Sequence, residues 1–82
     1  MDEMTVKIIL AAKAKPGNEK DVVDKLQKRE PVKEIYLIES GTYDIIASIE
    51  VDSLDSYRDF VDEVAHLTWL VDFESFIRID SE

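Results

Sequence analysis

Few residues of this chain have the types and spacing that chemistry asks for. The most suggestive group is Ser40-Gly41-Thr42-Tyr43-Asp44. Glycine lets backbone N–H groups approach a ligand closely, Thr42 adds a hydroxyl, and Asp44 offers a carboxylate able to hold an ammonium. Together they suit a zwitterion, its carboxylate on backbone N–H groups and its amine on Asp44. The competing reading makes Asp44 a turn-stabilising residue, a common use of aspartate beside a glycine. His66, the only histidine, stands beside Leu67-Thr68-Trp69. It could serve as a general base next to an aromatic wall. Alternatively it ends a helix while Trp69 fills core or interface. With one imidazole and no cysteine, a His-rich metal site would need several subunits, and neither a disulfide nor a thiol nucleophile is available. The phosphate-binding patterns G-x-x-x-x-G-K-[ST] and G-x-G-x-x-G do not occur, nor do H-E-x-x-H and G-x-S-x-G. The pairs Asp2-Glu3 and Asp62-Glu63 read as solvated surface. No cofactor, no metal and no enzymatic centre is expected.

The elements that must position the Gly41–Asp44 group belong to a small chain. Its 82 residues carry 10 Lys+Arg against 19 Asp+Glu, a formal net charge of −9. Residues 1–82 are expected to form a single domain. Apolar residues make up 45%, enough for a core, and charged residues 35%, above the typical value of about 25%. A chain of this length buries a limited share of its surface, so self-association is expected. The acidity weighs against nucleic-acid binding, which depends on Lys and Arg at the phosphates. Lys25, Lys28, Arg29 and Lys33 read as the solvated end of a helix, where cations are favoured by the dipole. The start Met1-Asp2-Glu3-Met4 lacks a signal-peptide pattern, and no run approaches the ~18 apolar residues of a membrane span. A cytoplasmic protein is expected, in keeping with the missing cysteine.

Residues 6–14 alternate, with Val6, Ile8, Leu10, Ala12 and Ala14 on one side, which predicts a strand. Pro16-Gly17 follows, and Asn18 with Asp21 three residues on predicts a helix N-cap. Val22, Val23 and Leu26 share one face of that helix, and Pro31 is expected to close it. A second strand is predicted over 32–40, with Ile35 and Leu37 on one side and Tyr36 and Ile38 on the other. Gly41 lies near the tip of a hairpin leading to a third strand over 43–51. Asp52-Ser53 predicts a second N-cap, and Leu54, Tyr57, Phe60, Val61 and Val64 an amphipathic helix to about residue 65 or 66. Val71, Phe73, Ser75, Ile77 and Ile79 predict the last strand. The order βαββαβ gives an α+β ferredoxin-like plait, a four-stranded antiparallel sheet with two helices on one face.

The other sheet face is expected to carry Ile9, Ala11, Tyr36, Ile38, Ile46, Ser48 and Phe76. A solvated face should be mostly polar, and a patch this apolar exceeds what a soluble monomer usually exposes. It is therefore expected to be a subunit interface.

Three segments resemble the effector-binding (RAM) domain of the Lrp/AsnC regulators: Lys13-Ala14-Lys15-Pro16-Gly17, Val32-Lys33-Glu34-Ile35-Tyr36, and Gly41-Thr42-Tyr43-Asp44. The resemblance runs from about residue 6 to 79. It implies a plait that dimerises through its sheet face into a dimeric α/β barrel, with dimers assembling into rings, commonly octamers. It also implies an amino acid effector bound between dimers, Gly41, Thr42, Tyr43 and Asp44 lining that cleft and Ser75 entering it from a neighbouring subunit. Only five residues precede the first strand, so a stand-alone form without the helix-turn-helix is expected, unable to bind DNA itself. Full-length Lrp/AsnC regulators are the implied protein partners. Where the family usually has a small P-G-V type turn, the chain carries Leu67-Thr68-Trp69-Leu70-Val71. Two other classes compete: a dimeric α+β-barrel enzyme of the small monooxygenase type, and an assembly module with no ligand.

Overall fold

The computed structural model describes residues 5–39 and 41–78. Ser40, Ile79 and the acidic pair Asp2-Glu3 lie outside them. The elements are β1 (Val6–Ala14), α1 (Glu19–Gln27), β2 (Val32–Leu37), β3 (Ile45–Val51), α2 (Leu54–Ala65) and β4 (Leu70–Ile77). They form the expected plait, one antiparallel sheet in the order β2-β3-β1-β4.

The core follows from the period of two. On β1 the residues Ile8, Leu10, Ala12 and Ala14, and on β3 Ile45, Ala47, Ile49 and Val51, all point to the helices and are buried. Register sets them side by side, Leu10 opposite Ala47 and Ile8 opposite Ile49. Val22 and Leu26 of α1 and Phe60 and Val64 of α2 close over them. Burying a side chain of this size stabilises by roughly 1.5–3 kcal/mol, so these positions hold the sheet to its register.

The helices begin by different devices. At α2 the Ser53 hydroxyl accepts the Ser56 N–H at 3.1 Å, an N-cap as expected. Ser53→Ala should cost about 1 kcal/mol, read as a lower thermal midpoint. At α1 Asn18 occupies the N-cap position but does not cap; its amide Nδ2 donates to the Asp21 carboxylate at 3.1 Å. Pro31 does not end α1 either. The helix stops at Gln27, and Arg29 and Val32 N–H groups donate to the Leu26 and Arg29 carbonyls in tight turns. Arg29 turns toward α2 and pairs with Glu63 at 3.2 Å. Leu54, expected on the inner face of α2, is exposed at its first turn.

The strands differ from expectation at their ends. β2 and β3 form the expected antiparallel hairpin with Gly41 in its connection, but β2 stops at Leu37 and β3 starts at Ile45, so the connection, the 38–44 loop with Ser40 outside the described residues, is longer than expected. On β4 a register shift between Lys13 and Ala14 leaves Val71 unpaired. The bulge reverses alternation there: Leu70 packs on the core, and Val71, expected inside with Phe73, is exposed.

Candidate functional site

The last residues of β1 are the floor of the candidate site. Asp44 fastens the 38–44 loop to one side of them. Its backbone N–H donates to the Ala12 carbonyl at 2.9 Å, its carbonyl accepts the Ile38 N–H at 2.8 Å, and its carboxylate Oδ2 accepts the Ala14 N–H at 3.2 Å. One residue later the chain is tied on the opposite side, where the Lys15 N–H donates to the Trp69 carbonyl at 2.8 Å. Successive N–H groups of an extended strand point to opposite edges. The end of β1 thus lies between the β2–β3 loop and the turn that enters β4.

Tyr43 reaches across this floor. Its hydroxyl donates to Glu74 Oε1 on β4 at 2.6 Å. Glu74 lies opposite Ala11 on the open face, and Ala11 lies opposite Ile46 on β3. Ala11 is only 4% exposed although it faces away from the helices. The bond to Glu74, then desolvation and the negative charges of Glu74 and Asp72, push the Tyr43 phenol up to about 12. A phenol ionises near 10 when unfolded. Because the folded value is the higher, the contribution of this group to stability is complete below about pH 10 and is lost as pH rises through about 12. An ultraviolet titration should show a tyrosine ionisation near 12. Tyr43→Phe should abolish that late step; its persistence in Tyr43→Phe would refute the assignment.

The sequence-predicted residues divide. Gly41, Thr42, Tyr43 and Asp44 lie together in the 38–44 loop. A Cβ added at Gly41 would meet open space, and its φ is outside the left-handed region, so the loop backbone does not require glycine there. Ser75 is not brought to the loop within this chain. Its hydroxyl faces the helices and shares a 2.5 Å hydrogen bond with the Tyr57 hydroxyl of α2. His66 ends α2, its Nδ1 2.8 Å from the Asp62 carbonyl. No group of His, Asp or Glu able to hold a metal ion occurs among the described residues.

Trp69 does not fill the core as one reading had it: it is 40% exposed. Its φ is +74°, the one positive value among the described non-glycine residues. Left-handed backbone costs an L-residue with a Cβ about 1–2 kcal/mol. The Lys15 ammonium sits 5.0 Å from the ring centroid. A cation–π contact at an exposed site returns only about 0.5–1 kcal/mol. The sequence marks Trp69 as a possible aromatic wall and Glu74 as a flank of Ser75, but not the Lys15 contact of the one or the Tyr43 bond of the other. The late signal for Glu74 is its alternation with Ser75, which puts it on the open face.

The open face carries the residues expected of it. Tyr36, Ile46, Ala11 and Glu74 form one cross-strand row, and Ser48, Ile9 and Phe76 the next. Tyr36 is 55% and Phe76 50% exposed, while Ile9 and Ile46 are half-buried. Ile38, expected in the same face, lies past the end of β2.

A family model described as the Lrp/AsnC ligand binding domain matches residues 7–81. The chain belongs to the Lrp/AsnC ligand binding domain family. Among solved structures it is similar to FFRP-DM1, 28% identical, with 90% of this chain and 99% of that one covered at a TM-score of 0.85. It is likewise similar to a hypothetical protein from Pyrococcus horikoshii, 27% identical over 93% of this chain and 92% of that one, TM-score 0.83. A Neisseria meningitidis transcriptional regulator, solved as its L-Met complex, shares the fold at 13% identity and TM-score 0.81 over 92% of this chain and half of that one. No curated protein matches the chain. An Lrp/AsnC domain is a regulatory ligand-binding unit. No helix among the described residues is long and apolar enough to cross a membrane.

Proposed function

We propose that this Lrp/AsnC domain binds an amino acid at the end of its sheet and assembles through its open face, so that effector and assembly state influence one another. The observation that carries this reading is the Tyr43 to Glu74 bond. It ties the 38–44 loop, where an effector would sit, to a strand of the exposed apolar face. A ligand shifts an equilibrium only by its differential affinity for the two states, and residues shared by site and interface supply such a difference. The L-Met complex of the Neisseria meningitidis regulator, which has the same fold, supports an amino acid as the effector class.

In this reading Gly41, Thr42, Tyr43 and Asp44 line the cleft, with Ser75 of a neighbouring copy on its far side. The open faces of two copies, each led by Tyr36, Ile46, Ile9 and Phe76, pair into a dimer, and dimers build a ring. The domain works in the cytoplasm and tunes full-length Lrp/AsnC regulators by mixed assembly, contributing effector sensing and no enzymatic step. Thermal denaturation against a panel of the standard amino acids tests the effector. At least one should raise the midpoint in a saturable way, and Thr42→Ala should weaken that response. A midpoint that no amino acid moves would leave a ligand-free assembly module.

A further inference from the structure

The turn entering β4 holds a feature that the fold does not require. Trp69 adopts the one left-handed backbone conformation among described non-glycine residues, φ +74°, where glycine or asparagine would be at ease. Its side chain does not join the core in return: the residue keeps 40% of its surface exposed, and the Lys15 contact recovers part of the conformational cost. An unfavourable backbone kept for a side chain outside the core marks a residue whose side chain is wanted where it stands.

Its place is informative. The Trp69 carbonyl is bound by the Lys15 N–H, one residue from the Ala14 N–H that holds Asp44. The indole and the 38–44 loop therefore flank the same end of β1. The Lys15 ammonium lies over the ring, 5.0 Å from its centroid. Two residues on, the unpaired Val71 is 58% exposed, so this turn presents two large apolar side chains. Asp72 and Glu74 follow at once, and the chain as a whole is strongly acidic. With the Lys15 ammonium engaged on the ring and Asp72 and Glu74 beyond it, an apolar wall here favours an uncharged apolar side chain over a second carboxylate.

We propose that Trp69 is the specificity wall of the effector site, selecting an amino acid with an apolar side chain, with Lys15 as the residue that positions its ring. This rests on the reading that an amino acid binds at the end of the sheet, and the two can fail separately.

Trp69 is the only tryptophan, so fluorescence reports on it alone. Leucine, methionine, phenylalanine, aspartate and glutamate are titrated into the full chain while emission and thermal midpoint are followed. The expected result is that an apolar member raises the midpoint and changes the emission with the same half-saturation, and that aspartate and glutamate do neither. Trp69→Gly and Trp69→Asn, both suited to the left-handed backbone, should keep or raise the midpoint without ligand. They should weaken binding by about tenfold or more, the loss expected for one well-packed aromatic contact. Trp69→Phe should retain part of the affinity. Stabilisation with unchanged emission, or Trp69→Gly and Trp69→Asn binding as tightly as the native chain, would overturn the role of Trp69 and leave the effector reading standing. Preferential stabilisation by aspartate or glutamate would overturn the selectivity. If none of the five moves the midpoint or the emission, selection of an apolar side chain is overturned, and the effector reading itself fails only when the full panel of standard amino acids is equally silent.

Discussion

Phe76→Asp is expected to convert the protein from an assembly into monomers at micromolar concentration while leaving each monomer folded. Phe76 stands on the open face, paired with Ile9 of β1, and half of its surface meets solvent in the single chain. The fold therefore has little to lose from the change. A dimer formed by this face has much more to lose. Burying the phenylalanine contributes roughly 1.5–3 kcal/mol per copy. A carboxylate in its place would be buried without a partner, a penalty of several kcal/mol. By symmetry each dimer carries the change twice. Light scattering should report the loss of mass, and far-ultraviolet circular dichroism an unchanged helix and sheet content. An assembly of unaltered mass in Phe76→Asp would exclude this face as the interface.

Asp44→Ala is expected to destabilise the domain, and Asp44→Asn to restore most of the loss. The backbone bonds of Asp44 to Ala12 and Ile38 survive either change. Its carboxylate bond to the Ala14 N–H survives only where an acceptor remains. A hydrogen bond to a charged group is worth about 1.5–3 kcal/mol, and partial exposure puts this one toward the lower end. For a domain of this size each kcal/mol moves the thermal midpoint by about 4–8 °C. The asparagine variant also separates the two readings of Asp44. If the carboxylate only fixes the loop, Asp44→Asn should recover stability and effector response together. If it also holds the effector's ammonium, stability should return and the response should not. An Asp44→Ala midpoint equal to that of the native chain would refute the structural role.

The plait was legible because its signals are local. Alternation in β1 and β3, the 3–4 spacing of Phe60, Val61 and Val64, and the Ser53 cap each specify their own element, and the order of elements leaves one sensible topology. Val71 depends on partners distant in sequence: alternation puts it on the Phe73 side, and the pattern alone cannot show a bulge, which arises from register against Lys13 and Ala14. Asn18 has the right position for a cap, but its amide donates to the Asp21 carboxylate three residues on and its oxygen accepts no helix N–H, a local choice of rotamer that the pattern does not decide. The candidate site was legible as a segment, Gly41 to Asp44, and not as a geometry. That Tyr43 reaches Glu74, or that Trp69 adopts a left-handed backbone beside Lys15, follows from β1 lying between two loops distant in the chain. Leu54 joins the apolar stripe of α2 by spacing, yet as the first residue of the helix it is half exposed.

The most direct test of the central claim, that effector binding and assembly share one surface, is the mass of the protein in solution with and without the amino acid that raises its thermal midpoint. Native mass spectrometry or light scattering at micromolar concentration should give an even-numbered assembly whose size or dissociation midpoint changes on saturation, with Tyr43→Phe reducing the change. A monomer whose mass is the same in the presence and absence of every amino acid would contradict the claim.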